Sequence, residues 1–107
     1  MGAYDLLKPA LFRLPPETAH GLTHRLVRAA QGTPATNLLR DRAVVEDPRL
    51  RVKAFQNEFP NPVGVAAGFD KNAEIPRGLA ALGFGHIEVG GVTAKRQPGN
   101  QQPRLFR

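Results

Sequence analysis

Leu6, Leu7, Ala10, Leu11 and Leu14 recur at steps of three and four, an apolar stripe on one face of a short helix over residues 3–14. Pro9 falls within that stretch, lacks a backbone donor and crowds the carbonyl one turn back, so the helix is expected to start near it or bend at it. A second helix is expected over residues 16–30. Pro16 suits the first helical position, Glu17 the positive end of the dipole, Arg25 and Arg28 the negative end, and Gly32 the close. Its apolar face carries Ala19, Leu22, Leu26 and Ala29 or Ala30, opposite His20, His24, Arg25 and Arg28. Residues 32–37, with Thr33, Pro34 and Thr36, are a connector. With the charged stretch 40–47 they mark a boundary between a helical N-terminal extension, 1–42, and a main domain, 43–107.

Beyond that boundary the period changes. Leu50, Val52 and Ala54 alternate with Arg51 and Lys53, which predicts a hairpin over residues 50–59 turning at Gln56-Asn57. Pro60 and Pro62 then deliver the chain into residues 61–71, Asn-Pro-Val-Gly-Val-Ala-Ala-Gly-Phe-Asp-Lys. The two valines predict a strand; Ala66, Ala67 and Gly68 let a planar ligand lie against the backbone, and Lys71 sets one cation at its edge. An ordinary strand-to-helix turn with a solvated lysine reads the same way. Over residues 73–82, Ile75, Leu79 and Leu82 share a helical face, with Pro76 in the first turn and Gly83 at the end. A short strand follows at 86–89, then Gly90-Gly91. Strand, helix and strand in so short a span predict a βαβ unit with parallel strands and a right-handed crossover. Loops 68–71 and 90–93 then fall at the carboxyl ends of the strands, where such sheets hold ligands.

Charge adds a second theme. The net charge is +6, from 15 Lys and Arg against 9 Asp and Glu, and residues 89–107 carry Lys95, Arg96, Arg104 and Arg107 with no acid. Such a tail suits a phosphate, an anionic lipid surface or nucleic acid, and equally a solvated or partner-covered segment. Phe106 is the one aromatic residue near these cations, so nucleic acid is not expected. With no cysteine there are no disulfides, thiolate metal sites or sulfur nucleophiles. His20 and His24 stand one turn apart, but no third ligand and no intervening Glu accompany them, so they are expected as surface or ligand-edge histidines and no metal is expected. Asp5 and Lys8 interrupt the apolar N-terminus, so no signal peptide or spanning segment is expected there, and the expectation is a cytoplasmic protein, free or lying on a membrane. The two helices could pack on their own domain, bind a partner or lie in a membrane interface.

Residues 61–71, Leu82-Gly83-Phe84-Gly85, Glu88-Val89-Gly90, Val92-Thr93, Gln97-Pro98-Gly99-Asn100 and Pro103-Arg104-Leu105-Phe106-Arg107 together resemble class 2 dihydroorotate dehydrogenase, the quinone-dependent flavoenzyme family of pyrimidine synthesis. Leu11-Phe12-Arg13-Leu14 and Pro16-Glu17-Thr18-Ala19-His20 resemble that family's helical extension. The resemblance implies an α/β fold: the N-terminal part of a TIM (β/α)8 barrel preceded by a short helical membrane-associating extension. Because a barrel takes about 250 residues, it implies an incomplete, N-terminal fragment holding about two of the strands. The asparagine-rich substrate segment, the serine that acts as base and the later flavin-phosphate loops would then be missing, leaving no catalytic residue here.

The same resemblance implies an FMN cofactor contacted by Ala67, Gly68, Phe69, Asp70, Lys71 and Gly91, with Lys71 also touching the substrate carboxylate. Gly91 stands where family members usually have threonine, and Ala94 and Arg96 flank Lys95 where proline is frequent. His20 and Arg107 fall near positions associated with a quinone tunnel. The implied reaction takes dihydroorotate to orotate, a proton passing to the serine base, a hydride to the flavin and electrons onward to quinone. The implied partners are dihydroorotate or orotate, quinone and the membrane surface, and the implied location is peripheral, on the cytoplasmic side of the cell membrane. The competing expectation is a small basic module that binds an anionic membrane or a phosphate ligand without catalysis. Two strands cannot close a barrel, so residues 1–107 alone are expected to aggregate through open edges.

Overall fold

The computed structural model describes residues 2–106, which fall into two compact units: Val27–Val92, and residues 2–26 with 93–106. Helix α1 (Ala3–Arg13) runs through Pro9, so of the two expected alternatives it does not start there; the proline leaves the Asp5 carbonyl without its usual donor. Helix α2 (Pro16–Ala30) has the predicted bounds, and Gly32, at φ 78°, turns the chain after it. Residues 34–43, expected as connector and charged boundary, are instead helix α3 (Pro34–Ala43). The physical reason lies in its ends: Thr33 is the N-cap, Pro34 the first residue, and Arg40 and Arg42 sit in the last turn, where the dipole favours cations. The hydroxyls of Thr33 and Thr36 both donate to Ala30 O, at 2.5 and 2.6 Å, tying α3 to the end of α2.

Asp47 caps a 3-10 turn, Pro48–Leu50, accepting from Arg49 N at 2.9 Å and holding the Arg49 guanidinium at 2.6 Å. Strands β1 (Val52–Ala54) and β2 (Asn57–Phe59) then pair antiparallel with Ala54 opposite Asn57. The turn is therefore Phe55-Gln56, one residue earlier than expected. A two-residue hairpin whose twist matches its strands takes positive φ at both positions, and these residues adopt 50° and 62°. Asn57, expected in the turn, donates from Nδ2 to Phe55 O at 3.1 Å.

Strand β3 (Gly64–Val65), helix α4 (Pro76–Ala81) and strand β4 (His86–Ile87) form the predicted βαβ unit, with Gly64 opposite His86 and Val65 opposite Ile87 in parallel register. Gly85 N–H to Val63 O (2.8 Å) and Glu88 N–H to Val65 O (2.9 Å) extend the ladder at both ends. Asn61 secures its entrance, donating from Nδ2 to Gly83 O at 2.8 Å and accepting Val63 N–H at 3.0 Å. A Cβ on Gly64 would overlap the His86 ring, which meets Phe59 edge-on at 5.8 Å. The core beneath is small: Ile75, Leu79 and Ala81 are buried. Leu82, expected on the same face, is 39% exposed because α4 ends at Ala81 and Gly83 (φ 96°) turns the chain.

Candidate functional site

The loop between β3 and α4 carries most of the predicted site residues. Ala66, Ala67 and Gly68 are exposed, Gly68 adopts φ 109°, and Phe69 is half-buried. Asp70 turns inward and is 1% exposed, the buried charged residue among those described. Its two carboxylate oxygens accept Glu74 N–H at 2.9 Å and Ile75 N–H at 3.0 Å, and its carbonyl accepts Ala73 N–H at 3.2 Å. A carboxylate taken out of water is tolerated when its lone pairs are met in this way. These bonds, and the φ of 54° at Ala73, replace the first turn expected at residue 73, so the helix begins at Pro76. No capping pattern in the sequence announces them: Ile75 is the N-cap of α4, and Asp70 reaches donors four and five residues on, beyond the two or three that a capping aspartate spans.

Lys71 follows immediately and is exposed. Its backbone is held from the second glycine loop: Gly90 N–H donates to Lys71 O at 3.1 Å. A Cβ on Gly90 would lie 2.7 Å from that oxygen and 3.2 Å from Lys71 Cα, so glycine is what permits the approach. The two loops, expected at the carboxyl ends of β3 and β4, also meet there, at Lys71 and Gly90. Gly91 is exposed, with nothing within 4 Å of where its Cβ would stand. Lys71 therefore presents a flexible, charged side chain from a backbone fixed on both sides.

Three residues outside the predicted set buttress this loop. Gln31 Nε2 donates to Glu74 O at 2.7 Å and Gln31 Oε1 accepts Gly78 N–H at 3.3 Å, while Arg28 Nη1 stands 3.2 Å from Glu74 Oε2. Val27 fills the space beside Gly78, where a Cβ would overlap its Cγ1.

In the other unit, His20 is half-buried on α2, its ring centroid 6.0 Å from that of His24. Among the described residues no group of three or more His, Cys, Asp or Glu is placed to hold a metal ion, and no helix is long and apolar enough to cross a membrane. Of the basic tail, Arg104 is turned into its own loop, donating from Nη1 to Pro98 O (3.1 Å) and Asn100 O (2.8 Å), with Gly99 at φ 77° between them. Glu17 Oε1 accepts the N–H groups of Arg104 and Leu105, at 2.5 and 3.1 Å. Arg107, assigned to the quinone tunnel, lies outside the described residues.

The chain is 67% identical over 107 residues to a dihydroorotate dehydrogenase (quinone) of Natronomonas pharaonis, covering 100% of this chain and 31% of the relative. It is 65% identical over 104 residues to one of Halobacterium salinarum, covering 97% and 30%. It thus spans about a third of the length of these curated relatives. Among solved structures, DHODH of Eimeria tenella in complex with ferulenol superposes with a TM-score of 0.67 at 43% identity, over 87% of this chain and 23% of that one. That likeness gives the fold class, α/β of the TIM-barrel family. The family model for dihydroorotate dehydrogenase matches residues 49–107, from the hairpin through both glycine loops, and on that match and those identities the chain belongs to the dihydroorotate dehydrogenase family.

Proposed function

We propose that the whole protein oxidises dihydroorotate to orotate, with FMN as cofactor and quinone as final acceptor, and that the Lys71 loop forms the flavin and substrate edge of its active site. The observation that carries this is the exposed Lys71 side chain on a backbone clamped by Gly90 and Asp70 at the carboxyl end of β3. The residues present fit a planar group: the surface from Ala66 to Gly68 is small and exposed, and nothing lies within 4 Å of a Cβ built on Gly68 or Gly91. A bound flavin would supply the two-electron acceptor, which the side chains of this cysteine-free sequence do not provide.

Within that site Lys71 holds a positive charge where negative charge develops and pairs with the anionic carboxylate of the substrate. Ala67, Gly68 and Phe69 offer backbone and an apolar wall. The carboxylate of Asp70 is committed to Glu74 and Ile75, so Asp70 serves the ligand through its backbone and through the shape of the loop. Gly91 contributes backbone alone. His20 and Arg107 are assigned to the quinone path, and α1 with α2 to the membrane surface on the cytoplasmic side. That surface is supported by the exposure of Leu6, Leu7 and Phe12, with Lys8 Nζ 5.6 Å from the Phe12 ring.

The test is Lys71→Ala in the protein made from its complete open reading frame. Turnover is expected to fall on the order of a hundredfold. Orotate affinity, read from the flavin absorbance, should fall roughly tenfold or more, with flavin still bound. Unchanged orotate affinity would remove Lys71 from the site.

A further inference from the structure

Gln31 directly follows α2, 40 positions before Lys71 in the numbering, and is half-buried. Both ends of its amide are used: Nε2 on the carbonyl of Glu74 at 2.7 Å, Oε1 on the N–H of Gly78 at 3.3 Å. Those partners flank Pro76, the first residue of α4, where the Lys71 loop becomes helix. One is a carbonyl and the other an N–H, so the orientation of the amide is fixed by its partners. The Glu74 residue is consequently gripped at both of its backbone polar groups, its N–H by the buried Asp70 carboxylate and its C=O by Gln31.

The segment between these grips is short. Lys71, Asn72 and Ala73 join Asp70 to Glu74, and Ala73 adopts φ 54°, a conformation a residue with a Cβ keeps when its surroundings impose it. Upstream the segment is anchored by Asp70, and at Lys71 itself by Gly90. Releasing Glu74 O would remove one grip on the downstream end, leaving those of Asp70 on the Glu74 and Ile75 N–H groups and of Arg28 on the Glu74 carboxylate, and would loosen the loop at Ala73. A lysine carried on a relaxed loop samples many directions, and small misplacements of a binding group are costly.

We propose that Gln31 is a positioning residue for Lys71: its amide, acting through the Glu74 and Gly78 backbone, locks loop 70–75 in the conformation that aims the lysine amine at its ligand. This rests on Lys71 meeting the flavin and the substrate carboxylate. Glutamine suits the task because the two grips need one donor and one acceptor at the end of one side chain. Glutamate offers acceptors alone and sets a second charge beside Glu74; leucine offers neither.

The experiment uses the flavin-loaded protein from the complete open reading frame, as wild type, Gln31→Leu, Gln31→Glu, Lys71→Ala and the double variant Gln31→Leu/Lys71→Ala. The readouts are the orotate Kd from flavin difference spectra, amide hydrogen exchange across residues 71–75, and the melting temperature. Gln31→Leu is expected to weaken orotate about tenfold and to speed exchange in 71–75. The double variant should bind orotate no more weakly than Lys71→Ala alone, because both changes remove the same interaction. A glutamine that serves folding alone would lower the melting temperature and leave the orotate Kd in place, and that result overturns the proposal; so does a double variant whose losses multiply. Gln31→Glu keeps the length of the side chain and its acceptor for Gly78, and carries the same test if Gln31→Leu does not fold. If Lys71→Ala itself leaves orotate binding unchanged, the loop is not the ligand edge and Gln31 has nothing to aim. If Lys71→Ala acts and both Gln31 variants bind orotate like wild type, the positioning role alone fails.

Discussion

The two units of the chain solve different problems with the same kinds of residue. In Val27–Val92 the residues Asp70, Ile75, Gly78, Leu79 and Ala81 are buried, and the polar one among them has both carboxylate oxygens occupied. Among the described residues 2–26 and 93–106 none is buried, although α1 and α2 carry Leu6, Leu7, Leu11, Leu22 and Leu26. Leu6 is 70% exposed and Leu26 63% exposed, against 2% for Leu79. An apolar stripe at helical spacing therefore announces a helix without announcing what covers it. Conversely, the exposed Lys71 loop lies beside the buried Asp70 and Ile75, where backbone groups are paired.

The contrast breaks or holds first on truncations. Leu79→Ala in the complete protein should cost about 2–5 kcal/mol by urea denaturation, and Leu26→Ala within about 0.5 kcal/mol. Equal costs would mean that the second unit is packed in the whole protein as tightly as the first. A finer comparison uses two carboxylates with the same duty, each accepting two backbone N–H groups. Asp70→Ala strands the buried Ile75 donor and releases the part-buried Glu74 donor and should cost about 3 kcal/mol, whereas Glu17→Ala, whose Arg104 and Leu105 donors are exposed and can turn to water, should cost under about 1 kcal/mol.

Adjacent glycines give the next distinction. Gly90→Ala forces a Cβ to 2.7 Å from Lys71 O and should destabilise by about 1–3 kcal/mol, weakening orotate binding with it. Gly91→Ala meets open space and should stay within about 0.5 kcal/mol. The smallest effect is at Asp47. Its hydrogen bonds to the Arg49 side chain and then to the Arg49 backbone hold its pKa below the usual 3.8. A depressed folded value means that the cap's contribution is present above the unfolded value and is lost as pH falls through the folded one. Carboxyl NMR should place the Asp47 midpoint below 3.8, and Arg49→Ala should raise it; because the pair is exposed, the accompanying change in stability should be slight.

The sequence made α2 legible to the residue, because proline, glutamate, arginine and glycine each stood where helix ends want them. The βαβ unit was legible for the same reason, its glycines and Pro76 punctuating a change of period. Helix α3 was hidden by reading Thr33 and Pro34 as loop formers, when together they make a cap and a first turn. The hairpin turn slipped by one because Phe55 and Gln56 are poor turn residues that the strand register nonetheless forces into positive φ. At the site, the small residues and Lys71 were visible in the local pattern. Gln31 was not, since its partners are backbone groups 43 and 47 residues along the chain, and no periodicity records them.

The central claim is that the Lys71 loop edges a flavin reduced by dihydroorotate and reoxidised by quinone. Its most direct test is the absorbance spectrum of the protein purified from its complete open reading frame, followed through anaerobic addition of dihydroorotate and then of a quinone analogue. A bound yellow flavin that bleaches with dihydroorotate and returns with the quinone is the expected result. A colourless protein, or a flavin that dihydroorotate leaves oxidised, would contradict it.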